Sequence, residues 1–93
     1  MDIFNKIIIR IIKEQELIIG PLAWIEADKV EGLTIHEQGV ITLDETKKPQ
    51  DIINDLVAQY ERLFGKASHE VCRQAVTALI SQLNPTEIPT SIL

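Results

Sequence analysis

Several features that stabilise small proteins are scarce in this chain of 93 residues. A single cysteine, Cys72, means that no disulfide can form within the chain. One tryptophan, one tyrosine and two phenylalanines supply all the aromatic rings, so isoleucine must provide most of the hydrophobic mass. Because a domain of this length buries only about 60–65% of the surface that its unfolded chain exposes, we expect a partner subunit to contribute to its stability.

A basic face is also missing from the sequence pattern. The chain carries 14 acidic and 9 basic residues, for a net charge of −5, and the acidic residues are concentrated between Glu26 and Asp51. A protein that binds nucleic acid needs a basic surface that displaces counterions from the phosphates. The composition therefore argues against a nucleic-acid partner.

Long hydrophobic runs are absent as well. The longest uncharged run in the first third of the chain, residues 17–25, has about half the length that a membrane-spanning helix requires. Lys6, Arg10 and Lys13 would interrupt the hydrophobic region of a secretory signal. Together with the one free thiol, these observations predict a cytoplasmic protein.

The N-terminal part of the chain has helical periodicity. Apolar side chains recur at intervals of three and four between Ile3 and Ile12, a pattern typical of an amphipathic helix, and Asp2 can cap it. We predict a helix over residues 2–19. The following Gly20-Pro21 favours a helix end and then a new first turn, so we predict a second, short helix or a kinked continuation of the first.

After Gly32 the period changes to two, which predicts a β-hairpin. A three-residue loop that ends at Gly39 would pair His36 with Val40. The same register places four large aliphatic side chains on one face, namely Leu33, Ile35, Ile41 and Leu43. Because two strands alone are not stable in water, we expect this face to pack against the helices.

From Pro49 to Leu83 the apolar residues return to helical spacing, with steps of three and four that are typical of a coiled-coil seam. The spacing continues through Gly65, which favours one continuous helix, since an internal glycine costs only about 1 kcal/mol. At about 50 Å, such a helix would extend beyond a domain about 30–35 Å across and expose an apolar stripe. The alternative is a break at Gly65 that folds the two halves against each other.

These elements describe one mostly helical α+β domain over residues 1–84, followed by a C-terminal tail over residues 85–93. The order is helix, short helix, β-hairpin and a long or glycine-broken C-terminal helix. We interpret the chain as a non-catalytic protein-interaction or regulatory module that forms a homodimer or binds another protein. The residues predicted to form the interface are Val57, Tyr60, Phe64, Ala67 and Val71.

His69 and Cys72 lie three positions apart, so a helix would place them on one face. An imidazole and a thiolate at this spacing are half of a tetrahedral zinc site, which two copies of the chain could complete. Alternatively, Cys72 is a small buried hydrophobic residue on the apolar stripe, with a surface histidine beside it. We favour the second interpretation and predict neither a metal nor a cofactor.

The segment Ser68-His69-Glu70 resembles the phospho-accepting helix of sensor histidine kinases, in which an acid follows the histidine on a dimerising helix. The proline that usually follows the acid is missing, and the sequence contains no ATP-binding segment. The resemblance implies a histidine phosphotransfer module as an alternative function, with His69 as the phosphoryl acceptor.

The first helix provides another alternative, because Lys6, Arg10 and Lys13 share a polar face beside the isoleucine stripe. This composition is found in helices that lie on membranes, although Glu14 and Glu16 weaken the attraction to anionic lipid. The function of a peripheral membrane-associated adaptor is therefore a further alternative.

The sequence contains no glycine-flanked serine elbow and no basic surroundings for Cys72, so we predict no enzymatic activity.

Overall fold

The computed structural model describes residues 2–93, and it confirms a mostly helical α+β fold. The described residues measure 31 × 26 × 20 Å. The helices are α1 (Ile3–Ile19), α2 (Leu22–Ala27), α3 (Pro49–Phe64), α4 (Lys66–Ala75) and α5 (Thr77–Ile80). The hairpin is formed by β1 (Leu33–Glu37) and β2 (Val40–Leu43), and the tail contains two 3₁₀ turns, Pro85–Glu87 and Thr90–Ile92.

Helix α1 lies at the centre of the fold. The Asp2 carboxylate accepts a hydrogen bond from the Phe4 N–H at 3.3 Å, which caps the helix as its sequence predicts. Four isoleucines of the predicted stripe are fully buried, namely Ile7, Ile8, Ile11 and Ile12. The helix ends at Ile19, and α2 and α4 pack along it. The apolar face of α1 is therefore used inside the chain.

The two strands pair antiparallel and form a two-stranded sheet. Leu33 pairs with Leu43 and Ile35 with Ile41, which is the predicted register. The predicted pair of His36 with Val40 is wrong, because Glu37 pairs with Val40 and the register shifts between Ile35 and Glu37. The loop is thus shorter than expected, and the irregularity in β1 takes up the extra residue.

Gly65 divides residues 49–83, whose apolar spacing favours one continuous helix. Helix α3 ends at Phe64, Gly65 has a φ of +90°, and α4 starts at Lys66. A positive φ is incompatible with a right-handed helix and is adopted easily only by glycine. The break allows α4 to pack against both α3 and α1, so that much of the apolar stripe is buried within the chain.

Tyr60 connects α3 to α2 in the core. Its side chain is fully buried, and its hydroxyl donates a hydrogen bond of 2.7 Å to the carbonyl oxygen of Ala23. Burial, with smaller contributions from Cys72 and Glu26, raises the pKa of Tyr60, so the phenol is neutral and able to donate. The Ala23 carbonyl therefore accepts this bond in addition to its place in helix α2, and the bond joins α3 to α2.

Replacing Tyr60 by phenylalanine (Tyr60→Phe) removes the hydroxyl and keeps the ring. We expect the free energy of unfolding to fall by about 0.5–1.5 kcal/mol, because the bond between Tyr60 and the Ala23 carbonyl is lost. Urea denaturation followed by circular dichroism measures this change. An unfolding midpoint equal to that of the unsubstituted chain would show that the bond contributes nothing.

Candidate interaction surface

Four large aliphatic side chains are exposed where α1 turns into α2. Leu17 is 80% exposed, Ile18 63%, Leu22 40% and Ile25 55%. They lie within nine residues of sequence on either side of Gly20-Pro21, and we call them the apolar corner. Proteins that function as monomers rarely expose large contiguous apolar patches, so these residues form the leading candidate for an interaction surface.

A groove extends from this corner between α1 and α4, with a volume of about 320 Å³. Helix α1 lines it with Arg10, Glu14, Leu17 and Ile18, and α4 lines it with Val71, Gln74 and Ala75. Arg10 and Glu14 form an exposed ion pair at 3.6 Å. The groove thus joins part of the apolar corner to a rim that carries both signs of charge.

The structure separates the five residues predicted to form the interface. Val57 and Tyr60 are buried in the core of their own chain, and Phe64 is partly buried against that core. Ala67 is exposed, whereas Val71 lines the groove between α1 and α4. Val57 and Tyr60 thus contribute to the core of their own chain, and the association of copies stays a prediction.

Sequence reasoning missed the apolar corner. The uncharged run over residues 17–25 is too short to span a membrane, and its length gives no sign that four of its side chains are exposed. Helical spacing of Leu22 and Ile25 indicated a helix without showing that this helix turns both side chains outward. The signal was a run of apolar residues that continues through a glycine-proline turn.

His69 holds the C-terminal tail against the helices. Its Nδ1 pairs with the Glu61 carboxylate of α3, and its Nε2 pairs with the carbonyl oxygen of Ser91. One ring nitrogen of His69 therefore contacts α3 and the other contacts the tail. The Ser91 N–H in turn donates to Asn54 Oδ1 at 3.0 Å, and the neighbouring Ile92 is buried.

Cys72 lies in the core, where none of its surface is exposed. Burial raises the pKa of its thiol to about 11, and a hydrogen bond from Gln15 Nε2 at 3.4 Å opposes this shift only in part. The thiol is therefore neutral near pH 7. Its surroundings match the interpretation of Cys72 as a small buried hydrophobic residue.

His69 and Cys72 have different partners, since His69 bonds to α3 and the tail whereas Cys72 contacts Gln15. Within residues 2–93, no group of three or more histidine, cysteine or acidic side chains is arranged to hold a metal ion.

No helix within residues 2–93 has the length and apolar character needed to cross a membrane.

Comparison with protein families, with curated proteins and with solved structures finds no match to this chain.

Replacing His69 by alanine (His69→Ala) removes both bonds that the imidazole makes. We expect amide hydrogen exchange at Ser91 to accelerate about tenfold, which corresponds to about 1.4 kcal/mol and lies within the range of one lost hydrogen bond. His36→Ala is the matched control, because His36 lies on the hairpin, where its Nε2 bonds to Thr42 Oγ1. Equal exchange in the two variants would contradict the role of His69.

Cys72 should react slowly with a thiol reagent in the folded protein. At pH 8 we expect the reaction to be more than about a hundredfold slower than in urea, because the thiol must first become exposed by opening of the fold. Comparable rates in buffer and urea would show that the Cys72 thiol is exposed in the folded protein.

The stability of the fold should also depend on pH through Cys72. Since folding raises the pKa of the thiol from 9.0 to about 11, its deprotonation should destabilise the fold as the pH rises through this interval.

Proposed function

We propose that this chain is a non-catalytic protein-interaction module that acts as a homodimer, with the apolar corner as the contact between copies. The observation that carries the proposal is the exposure of Leu17, Ile18, Leu22 and Ile25 at one turn of the chain. By contrast, four isoleucines of α1 are fully buried in the core of the chain. Apolar surface that the fold itself does not use is the surface that a partner covers.

A second copy fits this surface on electrostatic grounds. Two-fold pairing places the same patch of each copy face to face, so the patch must be compatible with itself. The apolar corner carries no charge that would repel its equivalent. On the adjoining groove, Arg10 and Glu14 have opposite charges, so each can pair with its counterpart on the other copy.

The alternative functions receive less support from the geometry. Phosphoryl transfer to His69 requires a free ring nitrogen, whereas both nitrogens are hydrogen-bonded. Adsorption of α1 to a membrane requires an outward-facing apolar stripe, whereas four isoleucines of that stripe are buried in the core. We therefore propose protein association in preference to phosphoryl transfer or membrane adsorption.

The double substitution Leu17→Asp with Ile25→Asp tests the proposed contact. We expect the solution mass to fall from twice the chain mass of 10.5 kDa to that mass, because association would bury the new carboxylates against apolar surface. Sedimentation equilibrium at about 100 μM measures the mass, a concentration well above micromolar dissociation constants.

Leu63→Asp is the matched control, since Leu63 is an exposed leucine on α3 outside the apolar corner. This variant should stay dimeric. A monomeric unsubstituted chain, or an equal loss of mass in the control, would overturn the proposal.

A further inference from the structure

A second groove, of about 380 Å³, lies on the other side of Arg10. Helix α1 lines it with Lys6, Ile9, Arg10 and Lys13, the hairpin turn with Gly39, and α5 with Leu79. Ile9 and Leu79 are partly buried, so they form an apolar floor beneath longer charged side chains. We call this the basic groove.

The positive charges of the basic groove form few ion pairs with acidic side chains of the same chain. Lys6 and Lys13 are exposed and form no ion pair within residues 2–93, and Arg10 has only the exposed partner Glu14. One third of the nine basic residues thus line a single groove on a chain with a net charge of −5. Gathering like charges without partners costs energy that an acidic ligand would recover.

The groove does not suit a second copy of the chain. Two-fold pairing through this surface would bring the lysines of one copy against those of the other, and like charges repel. A membrane surface fits poorly as well, because Ile9 and Leu79 are partly buried and leave little apolar surface to insert into lipid. An inorganic anion would leave the apolar floor unused.

We propose that the basic groove binds an acidic, amphipathic segment of another protein. The axial distance from Lys6 to Lys13 is about 10 Å, or two turns of helix. A ligand helix with glutamates at positions i, i+4 and i+7 would present its carboxylates at this spacing, and leucines between them would contact Ile9 and Leu79. The proposal is independent of the homodimer, since the apolar corner contributes no residue to this groove.

The probe is a labelled helical peptide of about 14 residues with this pattern of glutamate and leucine, and fluorescence anisotropy measures its binding. We expect Lys6→Glu with Lys13→Glu to weaken binding at least about tenfold, because two attractive charges become repulsive. Lys48→Glu with Lys66→Glu changes the net charge equally at exposed positions outside the groove, and should weaken binding less than about twofold.

Two further peptides and a vesicle complete the experiment. Replacing the glutamates by lysine should abolish binding, and replacing the leucines by serine should weaken it at least about fivefold, because the apolar floor loses its contacts. Binding should persist in Leu17→Asp with Ile25→Asp, which separates this proposal from the dimer. Equal losses in the two lysine pairs, equal binding of the serine peptide, or binding only to phosphatidylserine-containing vesicles would overturn it.

Discussion

The backbone conformation at Gly65 determines how this chain buries its apolar surface. With φ at +90°, Gly65 ends α3 and lets α4 pack against α3 and α1. Cys72 then lies in the core beside Gln15 of α1, and His69 lies within reach of Glu61. A continuous helix would have separated His69 from Glu61 by more than two turns of helix. The core contacts, the buried thiol and the His69 bonds all depend on this one break.

The tail depends on the same arrangement. Asn54 of α3 and His69 of α4 both form hydrogen bonds with the backbone of Ser91. The side chain of the neighbouring Ile92 is buried. Arg73 adds a hydrogen bond of 2.8 Å from its Nε to the carbonyl oxygen of Leu93. Polar contacts to the backbone fix the position of the turn, and burial of Ile92 supplies the apolar contribution.

Local patterns predicted α1 and most of the hairpin because their signals lie within a few residues. The α1 stripe and its Asp2 cap were readable in this way, as was the pairing of Leu33 with Leu43. The break at Gly65 was not, because the apolar spacing keeps its phase through the glycine and both conformations fit it. Periodicity could not reveal the apolar corner or the basic groove either. Periodic spacing shows which side chains share a helix face, but it does not show what covers that face.

The two surfaces differ in the kind of partner that each can accept. In the proposed dimer, the four uncharged side chains of the apolar corner would meet their equivalents, and hydrophobic burial would drive the association. At the basic groove the charge of Lys6 and Lys13 opposes self-pairing and favours an acidic ligand. Arg10 lines both grooves, and its ion pair with Glu14 lies between them. In the proposed dimer Arg10 pairs with Glu14 of the second copy, so the attraction for an acidic ligand in the basic groove rests mainly on Lys6 and Lys13.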